Sequence, residues 1–383
     1  MAEYAERLKK LPPYLFAEME QMKAEKKKQG VDLIPLGIGD PDLPTPEFVI
    51  ESLTEEAKKD ANHKYPTSQG EQDFKEAVAT WMKKRFNVEV NPDTQVCASI
   101  GSKEAIANVS RAFVNPKDKV LCPDPAYPVY SQASTVFNDG EPILIPLKKE
   151  NAFLPKLEDF ENTGAKVLYL NYPNNPTGAI ATKEFLRQTQ EFAEKEDLAY
   201  CFDNAYSEFT FDDYKAPSAL QFGEKVVEFH SLSKTFNMTG DRIGFTVGDE
   251  KIISGLKKVK SQVDSGPPIY IQKAAITALE SYSGSQPPRE VSENMKEYEE
   301  RRNVLVEGLQ KKGFDAVKPK ATFYIWMPVA GKSTDFCKKL LDVGVVTTPG
   351  IGFGKNGEGF VRFALTQKTE RIKEALERIE KKL

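Results

Sequence analysis

Histidine and cysteine are scarce in this chain. Its 383 residues hold two histidines, His63 and His230, and four cysteines, Cys97, Cys122, Cys201 and Cys337. Two histidines cannot supply a multi-histidine metal centre. The cysteines are widely separated, form no C-x-x-C pair, and three lie in or beside apolar runs, which argues against a disulfide framework or a zinc site. A Ser-His-Asp triad would have to use one of those two histidines, and no G-x-S-x-G elbow is present. The reactive group of an enzyme with this composition is therefore to be sought in a lysine or a bound cofactor. The chain also lacks an excess of one charge: 53 basic against 57 acidic residues leave −4, without the basic surplus of a nucleic-acid binder. Long hydrophobic runs are missing too. Stretches such as Val167-Leu168-Tyr169-Leu170 fall far short of the ~18 residues that cross a bilayer. Charges begin at Glu3 with no apolar signal region, so a cytoplasmic protein without membrane contact is expected.

What is present is an ordinary globular composition, 40% hydrophobic and 29% charged, in a chain long enough for roughly two to three domains. No internal repeat or low-complexity tract is visible. Residues 1–30 read as an arm ending in a helix. The run Gly37-Ile38-Gly39-Asp40-Pro41-Asp42-Leu43-Pro44-Thr45-Pro46 is too rich in Gly and Pro for a helix and reads as an ordered loop. From 47 to 284 helical and strand-like runs alternate. Helical spacing joins Phe74, Val78, Trp81 and Met82, and again Ile106, Val109 and Phe113. Short apolar runs at 119–122, 167–170, 199–202 and 226–229 read as buried strands. Strands alternating with helices predict βαβ units and a mainly parallel sheet. A long helix is expected around 288–312, then strands at 323–326, 343–347 and 360–363 and a charged C-terminal helix. The chain thus divides into an arm and part of a small domain (1–46), a large domain (47–284) and a smaller α+β domain (285–383).

Open parallel sheets bind ligands beyond the carboxyl ends of their strands, so the residues after each apolar run matter most. After Leu170 comes Asn171-Tyr172-Pro173-Asn174-Asn175-Pro176-Thr177-Gly178. Phe202 is followed by Asp203 and, three residues on, Tyr206. After Phe229 comes His230-Ser231-Leu232-Ser233-Lys234, and after Cys122 comes Pro123-Asp124-Pro125-Ala126-Tyr127. Each alone is ordinary: a turn, a helix cap, a surface lysine, a buried aromatic. Together they place an amide, an acid, a tyrosine and a lysine framed by serines around one crevice. Gly101-Ser102-Lys103 opens a helical run, and free N–H groups at a helix N-terminus attract phosphate. Ser231, Ser233 and Arg242 add hydroxyls and a fixed cationic fork. Gly350-Ile351-Gly352-Phe353-Gly354 superficially suggests a dinucleotide loop, but Lys355-Asn356-Gly357 extends the loop where a helix would be needed.

These residues resemble fold-type I pyridoxal-phosphate enzymes, specifically class I/II aminotransferases, over nearly the whole chain. The most specific block is Ser231-Leu232-Ser233-Lys234-Thr235-Phe236-Asn237-Met238-Thr239-Gly240-Asp241-Arg242-Ile243-Gly244, with the arginine eight positions after the lysine. Asn175-Pro176-Thr177-Gly178 and the Asp203/Tyr206 pair stand in the family's order. Pro13-Tyr14-Leu15-Phe16, Leu36-Gly37-Ile38-Gly39-Asp40, Asp124-Pro125-Ala126-Tyr127-Pro128-Val129-Tyr130, and the tail from Val345 to Arg362 are similar to LL-diaminopimelate aminotransferases. Better-known members carry a glutamate where this chain has Ser68 and an asparagine near the position of Ser265, both helping to hold the distal end of the substrate.

The resemblance implies an α/β fold-type I architecture and pyridoxal 5′-phosphate as cofactor, with no metal. Lys234 would carry the cofactor covalently and act as the general base. Asp203 would pair with the ring nitrogen, Tyr206 and Asn175 would hydrogen-bond the ring oxygen, and Tyr127 would stack on the ring. Ser102, Lys103, Ser231, Ser233 and Arg242 would surround the phosphate, joined by Tyr65 from a neighbouring subunit, which implies a homodimer with shared sites. Arg362 would bind the substrate α-carboxylate, with Tyr14, Gly39, Lys103, Tyr127 and Asn175 also contacting substrate. The expected reaction exchanges an amino group between glutamate and LL-2,6-diaminopimelate. The alternatives are an aspartate, alanine or aromatic aminotransferase, a β-lyase on the same scaffold, and a cofactor-dependent regulator. Of these, a regulator would call for a fused helix-turn-helix domain, for which the start of the chain leaves no room.

Overall fold

The structure is a computed structural model and describes residues 3–11 and 15–381, without the side chains of 15–20. Its centre is a seven-stranded sheet. In chain order the strands of the molecule are β1 (Ile34–Pro35), β2 (Val96–Ser99), β3 (Lys119–Asp124), β4 (Glu141–Pro146), β5 (Ala165–Asn171), β6 (Ala199–Asp203), β7 (Val226–Ser231), β8 (Gly244–Gly248), β9 (Tyr324–Pro328), β10 (Val345–Val346), β11 (Thr348–Pro349) and β12 (Phe360–Ala364). The large sheet runs β2-β8-β7-β6-β5-β3-β4. It is parallel throughout except for β8, which is antiparallel to both neighbours.

The buried runs explain this sheet. Every residue of Ala199-Tyr200-Cys201-Phe202-Asp203 is buried, as a strand covered by helices on both faces requires. One face carries Tyr169, Cys201, Val227 and Phe229 against Ile106 and Val109 of the helix Ser102–Phe113 and Ile253 and Leu256 of the helix Glu250–Val263. On the other, Leu168, Leu170, Tyr200 and Phe202 meet Phe185 and Leu186 of the helix Lys183–Lys195. Phe74, Val78, Trp81 and Met82 of the helix Gln72–Phe86 pack on Phe245 and Val247 of β8. β3 is bonded to β4 on one side and to β5 on the other. Chain direction across the sheet therefore reverses beside β3, and a crevice opens there beyond the strand ends.

A second core joins the helix Arg289–Lys311, through Tyr298, Leu305 and Leu309, to the helix Thr369–Glu380. It is floored by an antiparallel sheet of order β11-β12-β9. Ile34 and Leu36 belong to this core, since β1 pairs with β10. Three strands of the large sheet, and the two-residue strands β1 and β11, were not read from the sequence. β2 has four residues, β4 contains two prolines, and β8 is bounded by glycines, so none shows a clean apolar run. The run 343–347, read as one strand, is shorter than expected. Only Val345–Val346 pairs with β1, and the chain then turns so that Thr348–Pro349 pairs with β12. The glycine-rich segment folds into two 3₁₀ turns, Gly350–Phe353 and Lys355–Gly357.

Candidate active site

Four strand ends deliver polar groups into the crevice. β7 runs into a single helical turn, Leu232–Thr235, whose first N–H groups are capped by Ser231 Oγ accepting from the Ser233 N–H at 3.2 Å. This turn holds Lys234 over the crevice, where its Nζ donates to the Gly39 carbonyl at 3.1 Å. Burial lowers the lysine from its usual 10.5 to about 8. Asp40 opposes that shift, and Arg242 and Arg362 add to it. An amine so depressed is far more often neutral, and hence nucleophilic and basic, than an exposed lysine.

Asp203 ends β6 and is only 6% exposed. Its Oδ2 accepts from the Tyr130 hydroxyl at 2.7 Å and its Oδ1 from the Ala205 N–H at 3.2 Å. Burial raises this carboxyl to about 6, while those two hydrogen bonds and the nearby His230 pull it back down. A carboxylate this poorly solvated gains most from a protonated ring nitrogen beside it. Asn171, at the end of β5, ties the neighbouring exits together. Its Nδ2 donates to the Asp203 carbonyl at 2.8 Å and its Oδ1 accepts from the Asn175 N–H at 2.8 Å. The Asn175 Oδ1 in turn accepts from Arg362 Nη1 at 2.8 Å. That bond fixes the orientation of the amide and leaves its NH₂ donors unspent.

Lys234, Asp203, Asn175 and Tyr206 line a cavity of about 260 Å³, whose far end is formed by Ser102, Ser231, Ser233 and Arg242. Ser102 opens the twelve-residue helix Ser102–Phe113. Gly101, with φ +76°, precedes it, and a Cβ there would overlap the Arg242 guanidinium. Only glycine lets that cation lie against the helix N-terminus, where two positive features reinforce each other. Arg242 is held by the carbonyls of Thr239 at 2.8 Å and Ile100 at 3.3 Å. Gly39, Lys103, Tyr127, Asn175 and Tyr324 also form walls of a second, larger cavity of about 610 Å³, which ends at Arg362. The Lys103 Nζ lies 5.9 Å from the centroid of the Tyr127 ring. Arg362 is buried between the rings of Tyr324 and Phe353, 4.1 and 4.6 Å from their centroids. Its Nη2 donates to the Gly37 carbonyl at 2.8 Å, and its Nε finds no partner.

The sequence-derived candidates Lys234, Asp203, Tyr206, Asn175, Tyr127, Ser102, Lys103, Ser231, Ser233, Arg242, Gly39 and Arg362 thus meet around two adjoining cavities. Tyr65 does not join them in its own chain and is 91% exposed. Ser68 and Ser265 line neither cavity; their loops meet, a Cβ on Gly266 lying 3.4 Å from the Ser68 Cα. Tyr14 lies outside the described residues. Four residues with polar side chains that were not selected from the sequence, Tyr130, Asn171, Thr239 and Tyr324, also line the first cavity. Tyr130 stands one helical turn after Tyr127, and Asn171 is the first polar residue after an apolar run, so both carried a signal.

Pyridoxal 5′-phosphate, the cofactor implied by the resemblance, would need four features here: an anion cradle, an acid for a ring nitrogen, donors for a ring oxygen and an amine for an aldehyde. The helix start with its hydroxyls and Arg242, the buried Asp203, the Asn175 amide with Tyr206, and Lys234 fit that set. Among the described residues no group of three or more His, Cys, Asp or Glu could hold a metal ion, and no helix is long and apolar enough to cross a membrane.

The sequence model for "Aminotransferase class I and II" matches residues 31–379. The chain is 48% identical over 388 aligned positions to LL-diaminopimelate aminotransferase 2 of Trichormus variabilis, covering 99% of this chain and 98% of that protein. It is 47% identical to LL-diaminopimelate aminotransferase of Aquifex aeolicus, covering 99% of both. Among solved structures it is similar to substrate-bound BacF from Bacillus subtilis, with a TM-score of 0.93 and 34% identity over 100% of this chain and 98% of that one. Aspartate aminotransferase from Thermus thermophilus with maleate gives a TM-score of 0.92 and 29% identity, with both chains fully covered.

Proposed function

The chain belongs to the class I and II aminotransferases, and from that premise we propose that it exchanges an amino group between glutamate and LL-2,6-diaminopimelate, with 2-oxoglutarate and tetrahydrodipicolinate as the keto partners. The observation that carries this reading is the meeting of a lysine of lowered pKa, a buried carboxylate and a half-unsatisfied arginine around two adjoining cavities. The names of the curated relatives supply the substrate, and a vestibule of about 610 Å³ has room for its seven-carbon chain.

When bound, pyridoxal 5′-phosphate supplies an aldehyde that takes up amino groups and a ring that spreads the electrons left behind when a Cα proton departs. The residues of this chain do the rest. Ser102, Lys103, Ser231, Ser233 and Arg242 hold the phosphate. Asp203 keeps a proton on the ring nitrogen, and Tyr130 holds its carboxylate in place. Tyr206 and Asn175 donate to the ring oxygen, and Tyr127 covers the ring. Arg362 fixes the substrate carboxylate at the other end of the vestibule, so the Cα–H bond is presented to Lys234. Released from the aldehyde by the incoming amine, the Lys234 Nζ would remove that proton from Cα and, once charged, deliver it to the former aldehyde carbon rather than back to Cα, in two half-reactions with ping-pong kinetics.

The reading also assigns Tyr65, exposed in one chain, to the phosphate of a partner, so the working unit is a homodimer. The chain divides at 46 and 284 into arm, large and small domains. The setting is the cytoplasm, in keeping with four unpaired, buried thiols. A donor panel tests the substrate. Protein loaded with cofactor is given single amino acids, and its visible absorbance is followed. LL-diaminopimelate is expected to react while meso-diaminopimelate, aspartate and alanine do not; an equal rate with aspartate or alanine would refute the assignment.

A further inference from the structure

Tyr324 has no role in the mechanism above, yet three contacts place it at the centre of the site. It stands on β9, diagonally across from Arg362 of β12, because Arg362 pairs with Trp326 in that ladder. Residues so related share a sheet face, and the Arg362 guanidinium accordingly lies 4.1 Å from the centroid of the Tyr324 ring. At its other end, the Tyr324 hydroxyl sits 3.1 Å from the hydroxyl of Tyr206. It also fills the space beside Gly39, where any Cβ would overlap it. The Gly39 carbonyl is the acceptor that holds Lys234. One side chain of the smaller sheet thus touches Arg362, Tyr206 and the backbone that positions Lys234.

The direction of the hydroxyl pair matters. A cation over a phenol ring draws electron density from it and strengthens the O–H as a donor. The Tyr324 hydroxyl, under Arg362, is the better donor of the two. If it donates to Tyr206, the Tyr206 proton is free to turn into the cavity. With the opposite direction, Tyr206 would face the cavity with lone pairs only, which would repel a ring oxygen. Hydrogen bonds in such a chain polarise and reinforce one another.

We propose that Tyr324 is a positioning residue for transamination: its hydroxyl donates to Tyr206 and so aims the Tyr206 proton at the ring oxygen of the cofactor, while its ring is the bed on which Arg362 lies. The inference rests on the function proposed above. Its two halves separate by substitution, since Tyr324→Phe removes the hydroxyl and keeps the ring, whereas Tyr324→Leu removes both.

Wild-type and both variants are loaded with pyridoxal 5′-phosphate, and the pH midpoint of the visible absorbance change is read beside kcat and KM. A weakened donor at the ring oxygen should raise the midpoint of Tyr324→Phe by about half a unit and lower kcat about three- to tenfold, with KM unchanged. Tyr324→Leu should in addition raise KM about fivefold, from loss of the cation–ring contact. A hydroxyl that merely filled space would leave the midpoint unmoved. Tyr324→Phe with wild-type midpoint and kcat, or with a KM raised as far as in Tyr324→Leu, overturns the inference. A wild type that shows no absorbance change with the cofactor overturns the proposed function itself, which keeps the two failures apart.

Discussion

Replacing Arg362 by lysine keeps the charge and removes the planar fork, and the structure sets the size of the effect. The guanidinium has five N–H donors. One is held by the Asn175 Oδ1 and one by the Gly37 carbonyl, each at 2.8 Å, and Nε has no partner at all. Three donors therefore remain, enough to meet both oxygens of a carboxylate. A lysine ammonium has three donors in all. Keeping Asn175 and Gly37 satisfied leaves it one for the substrate, so one charge-assisted hydrogen bond is lost, about 1.5–3 kcal/mol. Stacking between Tyr324 and Phe353 is weakened as well, by about 0.5–1 kcal/mol. Together these come to about 2–4 kcal/mol, or about 30- to 1,000-fold in kcat/KM. The assay is steady-state kinetics of Arg362→Lys with each amino donor that the wild type accepts, alongside a thermal melt to confirm folding. Every donor should suffer to a similar degree, because all share the α-carboxylate. A loss confined to one donor, or smaller than about threefold for all, would refute the carboxylate role and point to a side-chain contact.

Lys234 of the cofactor-free protein should react with carbonyl reagents along a curve centred near pH 8. With an ordinary value of 10.5 only about one amine in three thousand would be neutral at pH 7, against about one in ten here; a midpoint above 10 would remove the argument for an activated amine. Asp203→Asn should lower turnover by about 10²-fold or more while cofactor still binds, and near-normal rates would eliminate the ring-nitrogen role. The same substitution carries a stability signature. Burial raises the folded carboxyl from 3.8 to about 6, so the folded state favours the protonated form and the cost of ionising it appears as pH rises through that window. Cofactor-free Asp203→Asn should therefore melt higher than wild type at pH 8 and close to it at pH 4. The reverse order would mean that the carboxylate is stabilised, not strained, without cofactor.

The parts of the site that could be read in advance are those the chain announces locally. Asp203 follows an apolar run directly, Asn175 and Lys234 each stand five positions beyond the end of one, and in a parallel sheet the segment after a strand leads to the ligand crevice whatever the strand order. Tyr130 gave only the weak signal of its spacing from Tyr127, and Tyr324 gave none. Both are buried, as a core tyrosine would be, and Tyr324 stands within the apolar run Phe323-Tyr324-Ile325-Trp326. Only the three-dimensional fit reveals that one hydroxyl meets Asp203 and the other Tyr206. Gly39 shows the same limit. Its need for glycine comes from a side chain 285 positions away rather than from a turn of its own. The strands β2, β4 and β8 escaped because their stability comes from neighbours in the sheet, not from intrinsic pattern. The segment Gly350–Phe353 reads as a loop in either case, yet its use, setting Phe353 against Arg362, is tertiary.

The central claim is that Lys234 alone carries the cofactor. Reducing the loaded protein with borohydride, digesting it and sequencing the labelled peptide by mass spectrometry tests this directly. The label should fall on the peptide containing Ser231-Leu232-Ser233-Lys234 and vanish in Lys234→Ala. A label on Lys103 or any other lysine, or one that survives the substitution, would contradict the account.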